Sequence, residues 1–366
     1  MRLALRMAGR MLGQTAPNPA VGAIIVDEAT GELIARGWTQ PGGRPHAETH
    51  VIDRAGARAR GKTMYVTLEP CSHYGHTPPC VDAIMAAGLS RVVCAVEDPD
   101  PRVAGKGLAF LRAHGVAVDV GLEADEARWM AAGHILRMTR GRPFVQLKMA
   151  VAGDGLIAPG DGAPVWVTGE EARRYAHLLR ARADAILVGR KTVIDDDPEL
   201  TCRLPGLAGR SPRRVVLDPR LQTPLGSKLA ITAQSVPVTI FAADGAGPAP
   251  AYPPGVTIKR VAADAAGRLD LHAVLHSLRG DGITRVMVEG GPTVGAAFLQ
   301  AGLVDEAVIA RGTEPLGANG RKPLGERGPE VFEDASRWRT VDDRAIGPDR
   351  LTVYRAVGRL GPEARR

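Results

Sequence analysis

The sequence predicts two consecutive α/β domains. Strands alternate with helices along the chain, its 366 residues are enough to build two cores, and Gly141-Arg142-Pro143 separates two such series. We therefore predict a first domain at residues 1–141 and a second domain at residues 142–366.

The first domain is expected to open with an amphipathic helix at Met1–Met7, which lacks the long apolar stretch of a signal peptide. Apolar runs at 21–26 and 32–38, joined by a turn at 27–31, predict a β-hairpin. A Gly/Pro loop ends at His46, where a helix should begin. The remaining elements are expected as strands at 62–68, 91–96 and 116–120 and helices at 46–57, 80–87, 108–114 and 123–140.

Pro143 ends the last helix of the first domain, so a new strand at 144–149 starts the second. Further strands are expected at 184–188, 214–217, 236–241, 256–261, 285–288, 304–310 and 351–354. Helices are expected at 169–181, 270–279 and 292–301, with a short one from Arg190.

Composition narrows the class of protein. Hydrophobic residues make up 45% of the chain, and no apolar run approaches the roughly 18 to 20 residues that span a membrane. The 4 cysteines are too few for a disulfide framework, so a cytoplasmic location is expected. The net charge of +7 suits anionic small substrates or a merely solvated surface. Because the basic residues are dispersed and only 4% of residues are aromatic, nucleic-acid binding is not expected. A membrane partner is not expected either, since there is no spanning apolar run.

A group of metal-binding residue types stands in the first domain. His46 and Glu48 are followed by Cys71 and, nine positions later, by Cys80. One imidazole and two thiolates can hold zinc and leave a fourth position for water, while Glu48 can move protons. Cys80 opens a predicted helix, whose N-terminus lowers the pKa of a thiol. Hydrolytic deamination is the chemistry that this set predicts.

Other interpretations of this group remain open. His73 or His76 could supply a fourth ligand and close a purely structural zinc site. Alternatively, both histidines could be catalytic, shape the substrate pocket or be merely exposed.

The second half has neither a G-x-G-x-x-G fingerprint nor a P-loop. It does contain Glu289-Gly290-Gly291-Pro292, where a predicted strand passes through glycines into a helix. Backbone amides at such a turn can bind a phosphate, although similar turns often serve tight packing alone.

These motifs resemble known families. His46-Ala-Glu48 with Pro70-Cys71 resembles the cytidine-deaminase superfamily, in which the two cysteines usually lie three positions apart. The longer spacing here, with Pro17–Gly22 upstream and Glu97–Gly107 downstream, is similar to the bifunctional riboflavin-biosynthesis deaminase/reductase family. Segments of the second half, among them Leu178-Leu179-Arg180 and Asp195–Thr201, extend the resemblance from about residue 3 to 357.

The resemblance implies a cytidine-deaminase-like three-layer α/β/α domain followed by a dihydrofolate-reductase-like α/β domain. It implies hydrolytic deamination of 2,5-diamino-6-(5-phosphoribosylamino)pyrimidin-4(3H)-one with Zn²⁺. It also implies reduction of the ribosyl group with NADPH, to give 5-amino-6-(5-phosphoribitylamino)uracil. A phosphorylated pyrimidine is then the small-molecule partner, and the sequence leaves a homo-oligomer open.

The resemblance also implies roles for particular residues. His46, Cys71 and Cys80 are the expected zinc ligands, and Glu48 and Lys148 the expected catalytic residues. The residues expected to bind NADPH are Ala150, Trp166, Thr192, Asp196, Gly291, Pro292, Thr293, Val294, Gly295, Ala296 and Ala297. The residues expected to bind substrate are Asn18, Pro164, Arg180, Leu200, Arg203 and Glu289.

Two departures and two rival functions accompany this prediction. Many relatives have serine where this chain has Ala152 and Pro164, which puts a substrate contact at Pro164 in doubt. The enzymatic rival is a nucleoside or tRNA deaminase with an unrelated C-terminal domain. The non-enzymatic rival is a structural zinc module joined to a nucleotide-binding regulatory domain.

Overall fold

The computed structural model describes residues 1–75, 77–158 and 165–360, and of Asn319 only the backbone. His76 and the predicted substrate residue Pro164 therefore lie outside the described residues. The chain divides into two compact units, Met1–Pro143 and a second unit that begins at Phe144. Within the described residues, no helix combines the length and the apolar character that a membrane crossing requires.

The first unit is built on a five-stranded mixed sheet in the order β2-β1-β3-β4-β5. Its strands are β1 (Gly22–Asp27), β2 (Glu32–Trp38), β3 (Thr63–Val66), β4 (Arg91–Cys94) and β5 (Ala117–Val120). Its helices are α1 (Arg2–Gly9), α2 (Ala47–Ala55), α3 (Cys80–Ala87), α4 (Lys106–Ala113), α5 (Ala124–Met130) and α6 (Ala132–Thr139). β1 runs antiparallel to both its neighbours, whereas β3, β4 and β5 are parallel. The carboxyl ends of the parallel strands therefore share one edge of the sheet.

Two glycines let helices approach this sheet closely. A Cβ on Gly22 of β1 would lie 1.9 Å from the carbonyl oxygen of Ala4 in α1. A Cβ on Gly37 of β2 would lie 2.8 Å from the backbone nitrogen of Val51 in α2. Any side chain at either position would push its helix away, so these glycines allow α1 and α2 to pack closely on the sheet.

The helix predicted at 123–140 is broken in two, so this part of the prediction is wrong. The break falls at Ala131, whose ψ of 8° leaves the helical range. The segment after it, Ala132–Leu136, is buried. Five consecutive buried residues do not follow the periodicity of one amphipathic helix, so the apolar pattern alone does not report this break.

The second unit contains a nine-stranded sheet in the order β10-β9-β8-β7-β11-β6-β12-β14-β13. Its strands are β6 (Phe144–Val151), β7 (Ala185–Gly189), β8 (Arg213–Leu217), β9 (Val238–Ala243), β10 (Val256–Val261), β11 (Arg285–Val288), β12 (Glu306–Arg311), β13 (Trp338–Ile346) and β14 (Asp349–Ala356). Its helices are α7 (Glu170–Ala181), α8 (Arg190–Asp196), α9 (Lys228–Ile231), α10 (Leu271–Gly280) and α11 (Pro292–Gln300). Short 3₁₀ turns occur at Pro41–Gly43, Gly56–Ala59, Ala208–Arg210, Gly317–Asn319 and Pro329–Phe332.

Seven parallel strands, from β10 across to β12, form most of the second sheet, and the hairpin β13–β14 adds antiparallel strands at one edge. β7, β11 and β6 are adjacent, with Val288 paired to both Leu187 and Leu147. Their buried side chains join those of α10 and α11 in one core. This arrangement places the residues that follow β7 and β11 beside the second half of β6, where a site can form.

Sequence reasoning did not predict β13. Its side chains are mostly exposed and include Arg339, Asp343 and Arg344. An edge strand with a charged exposed surface lacks the apolar alternation by which strands are recognised.

Candidate active sites

Three donor atoms of the first unit come together where two helices begin. Nδ1 of His46 lies 3.3 Å from Sγ of Cys80 and 3.7 Å from Sγ of Cys71, and all three atoms lie within 4.8 Å of one another. His46 precedes α2, Cys80 opens α3, and the backbone N–H of Cys80 donates to Sγ of Cys71 at 3.3 Å. The structure thus brings the three predicted ligand atoms into one group.

This donor set fits a zinc ion. Two sulfurs and one imidazole nitrogen are ligands that zinc favours, both thiols are unpaired, and three ligands leave one tetrahedral position for water. Among the described residues, His73 does not join the group, and His76 lies outside that part of the chain. The geometry therefore matches an open catalytic site of three protein ligands.

The electrostatics of the group depend on burial and hydrogen bonding. A hydrogen bond from Cys80, followed by one from His46, lowers the pKa of Cys71 to about 4. The same bond between the two sulfurs, together with burial, raises the pKa of Cys80. Burial also raises the pKa of Glu48 to about 7. The surroundings of Cys71 thus favour its thiolate form before any metal ion binds, and Glu48 can hold or release a proton near neutral pH.

A cavity of about 400 Å³ opens from this group. Its lining residues are Asn18, Pro19, Val21, Thr39, Arg44, His46, Glu48, Leu68, Glu69, Cys71, His73, Tyr74, Gly75, Asp98, Asp100, Arg102, Val103 and His134. The predicted substrate residue Asn18 is among them and donates from Nδ2 to the carbonyl oxygen of Gly43 at 2.9 Å. The cavity is large enough for a small molecule and has the donor group in its wall.

One wall of the cavity is fastened by Glu69, which sequence reasoning assigned no role. Its carboxylate is buried and accepts from four backbone N–H groups: Asp98 at 3.1 Å, Gly105 at 2.9 Å, Gly107 at 2.9 Å and Leu108 at 3.3 Å. These bonds attach the loop before α4, and the first turn of α4, to the segment that carries Cys71.

A second pair missed from the sequence is Asp98 and His134. Nε2 of the buried His134 lies 2.8 Å from Oδ1 of Asp98, which also accepts from the N–H of Asp100 at 2.9 Å. Asp100 in turn pairs with the guanidinium of Arg102 at 2.5 Å, and this hydrogen bond lowers the pKa of Asp100 to about 2. Two carboxylates are therefore held in fixed positions in the cavity wall.

The second unit contains a buried charge cluster that involves three of the predicted residues. Glu289, directly after β11, accepts from Nζ of Lys148 in β6 at 3.2 Å and from Nε of Arg180 in α7 at 2.9 Å. Burial alone would raise the pKa of Glu289, but Lys148 and Arg180 outweigh it and hold that pKa below its usual value. Arg180 also donates to the carbonyl oxygen of Thr201 at 3.1 Å. The site thus offers two cations held by one carboxylate.

The glycine turn after β11 lies against the end of β7. A Cβ on Gly189 would approach Val294 to 2.9 Å, and one on Gly291 would lie 3.8 Å from Oγ1 of Thr192. Gly291 is the N-cap of α11 and has no side chain with which to cap the first amides of the helix. The predicted turn and Thr192 therefore form one wall, and the backbone there suits the phosphates of a dinucleotide.

The other predicted residues of the second unit are more scattered. Ala150 lies in β6 opposite Ala310, and Trp166 is 73% exposed with the guanidinium of Arg173 4.9 Å from its ring. Asp196 ends α8. Leu200 is buried, with a φ of 56°. Arg203 is largely exposed and pairs with Glu199 at 3.2 Å. Arg203 thus does not join the cluster around Glu289.

The architecture and the two sites define a class of protein: a zinc deaminase unit followed by a unit suited to a dinucleotide cofactor. Residues 1–96 match the family model of the cytidine and deoxycytidylate deaminase zinc-binding region, and residues 143–352 match that of the RibD C-terminal domain. The chain belongs to the RibD family of riboflavin biosynthesis proteins.

Relatives along the full chain support this membership. The chain is 37% identical to the riboflavin biosynthesis protein RibD of Aquifex aeolicus, with 97% of each chain covered. It is 39% identical to that of Escherichia coli, over 95% of this chain and 96% of the relative. A solved diaminohydroxyphosphoribosylaminopyrimidine deaminase/5-amino-6-(5-phosphoribosylamino)uracil reductase from Thermotoga maritima superposes with a TM-score of 0.83, at 33% identity and 97% coverage of both chains.

The predicted family, fold class and pair of cofactors are confirmed. The chain is a bifunctional enzyme of riboflavin biosynthesis that uses zinc and NADPH. Both rivals are wrong, since the C-terminal half is a RibD domain rather than an unrelated or regulatory one.

Proposed function

We propose that residues 1–141 deaminate 2,5-diamino-6-(5-phosphoribosylamino)pyrimidin-4(3H)-one and that residues 142–366 then reduce its ribosyl group to ribityl. The observation that carries the first step is the His46, Cys71 and Cys80 group beside the buried carboxylate of Glu48. The solved relative from Thermotoga maritima, named for both activities, supports the pairing of the two steps.

In the deaminase step, His46, Cys71 and Cys80 would hold the zinc ion. A bound zinc ion supplies a Lewis acid that lowers the pKa of water. Glu48 takes a proton from the attacking water and delivers protons to the departing amine, so that water is consumed and ammonia leaves. In the protein without a metal ion, burial raises the pKa of Glu48 to about 7, so this carboxyl group can both accept and donate a proton near neutral pH.

In the reductase step, NADPH supplies a hydride when bound. The cofactor would lie against Ala150, Trp166, Thr192, Asp196 and the turn Gly291–Ala297. Arg180, Leu200, Arg203 and Glu289 hold the substrate, as would Pro164, which lies outside the described residues. Lys148, which lies 3.2 Å from Glu289, would donate a proton to the ring oxygen as the sugar opens. The guanidinium of Arg203, which is more than half exposed, would bind the phosphate of the substrate.

One pair of assays tests this assignment. Ammonia release from the phosphoribosylaminopyrimidine substrate, called the ribotide below, is measured with and without NADPH. NADPH oxidation is followed on the substrate after deamination. Glu48→Ala should abolish ammonia release and leave reduction intact. Loss of both activities in a folded variant would contradict two separate sites, and no ammonia from the zinc-loaded wild type would refute the deaminase assignment.

We also propose that the enzyme is cytoplasmic and has neither a nucleic-acid nor a membrane partner. A homo-oligomer remains open. The free thiols of Cys71 and Cys80 support the location, because cysteines without disulfides are typical of reducing compartments. Light scattering on the purified enzyme measures whether it is a homo-oligomer.

A further inference from the structure

Arg44 lines the deaminase cavity and lies two residues before His46 in the chain. Its Nη1 donates to Oγ1 of Thr77 at 2.7 Å, and a Cβ on Gly75 would lie 3.8 Å from its Nη2. The neighbouring Tyr74 is 78% exposed. The guanidinium of Arg44 therefore lies where the cavity meets solvent.

The charged groups of the cavity wall differ in their partners. The guanidinium of Arg102 is neutralised by Asp100, and the imidazole of His134 is bonded to Asp98. Within the described part of the chain, the only hydrogen bond of the Arg44 side chain goes to a neutral hydroxyl, and no carboxylate pairs with it. Arg44 is thus a half-buried cation whose charge remains available to a ligand.

We propose that Arg44 binds the phosphate group of the deaminase substrate and thereby selects the phosphorylated over the unphosphorylated form. The reacting amine must lie at the donor group and Glu48, so the ribose phosphate extends away from them toward the mouth. A guanidinium presents paired N–H donors that match phosphate oxygens, and it remains charged at every working pH. This role rests on the proposed deaminase function.

The test compares two substrates in the ammonia assay without NADPH: the ribotide and the riboside made from it with a phosphatase. Arg44→Gln should lower kcat/KM for the ribotide by about 10- to 100-fold, mainly through KM, because a charge-assisted hydrogen bond is lost. The riboside should change by less than about 2-fold, since it lacks the group that Arg44 binds. Arg44→Lys should restore part of the loss, which separates a charge effect from misfolding.

Arg102→Gln is the matched control, because Arg102 lines the same cavity but is already paired with Asp100. Arg102→Gln should change kcat/KM for the ribotide and for the riboside by the same factor. A second measurement is inhibition of ammonia release by ribose 5-phosphate, which Arg44→Gln should weaken at least about 10-fold and Arg102→Gln should not.

The outcomes are distinguishable. An equal loss on ribotide and riboside in Arg44→Gln, or unchanged inhibition by ribose 5-phosphate, would overturn the role of Arg44 while the wild type still deaminates. A wild type that releases no ammonia would instead refute the deaminase function itself.

Discussion

Replacing Glu69 with glutamine tests whether one buried carboxylate holds the wall of the deaminase cavity. The change keeps the shape of the side chain but turns one carboxylate oxygen into an amide nitrogen. Oε1 now accepts from the N–H groups of Gly107 and Leu108, and Oε2 from those of Asp98 and Gly105. In either orientation of the amide, two backbone donors would face another donor.

The expected loss of unfolding free energy follows from the number of backbone N–H groups left without an acceptor. A buried N–H without an acceptor costs about 1–3 kcal/mol, so two of them should lower the free energy of unfolding of the first unit by roughly 2–6 kcal/mol. That is a large share of the roughly 5–15 kcal/mol by which folded proteins are stable. The loop at 98–108 should be the first segment to open, since it loses its attachment to Glu69.

Urea unfolding and amide hydrogen exchange measure the two effects. Exchange in Glu69→Gln should accelerate over residues 98–108, and ammonia release should fall while reduction of the pre-deaminated substrate persists. Glu32→Gln is the control, because Glu32 pairs with Arg58 at a surface where both side chains are more than half exposed. If the unfolding free energy of Glu69→Gln stays within about 1 kcal/mol of the wild type and exchange at 98–108 is unchanged, Glu69 does not hold this loop.

Three further predictions concern the two sites. Burial raises the pKa of Glu48 from 4.5 to about 7. Ionisation of Glu48 should therefore lower the free energy of unfolding of the metal-free protein as the pH rises through that window, by roughly 3 kcal/mol in total. Glu48→Gln should therefore exceed metal-free wild type in unfolding free energy at pH 8 and lose that advantage at pH 4; equal stability at pH 8 would contradict it. Cys71→Ser should lower the zinc content per chain measured by atomic absorption and stop ammonia release, with NADPH oxidation as the unaffected control. Glu289→Gln leaves Lys148 and Arg180 facing each other without a carboxylate, so it should cost about 3–5 kcal/mol on urea unfolding and abolish reduction but not ammonia release.

The residues that sequence reasoning brought to the deaminase site lie in short segments, each of which carries a recognisable motif or a helix-start signal. His46 and Glu48 flank the start of α2, and Cys80 begins α3, so motif spacing and helix-start signals were enough to predict their convergence. The parallel arrangement of strands could also be predicted, because strands alternate with helices along the sequence.

The pair Asp98–His134 could not be found in this way. The two residues are 36 positions apart, and a buried histidine on an apolar helix face has no sequence signal that separates it from a core residue. Its position depends on the break at Ala131, which packing imposes. Long-range polar contacts of this kind are decided by tertiary structure and have no period to detect.

The segment Glu69-Pro70-Cys71 explains why the cavity wall and the metal ligand cannot move independently. Cys71 contributes a donor atom to the zinc group, while Glu69, two residues earlier, binds the loop before α4. Gly107 allows α4 to pack closely against this segment, because a Cβ there would lie 2.2 Å from the carbonyl oxygen of Pro70. A shift of the loop would therefore be transmitted through Glu69 to the ligand, and the precision of the reacting geometry depends on a residue that need touch neither metal nor substrate.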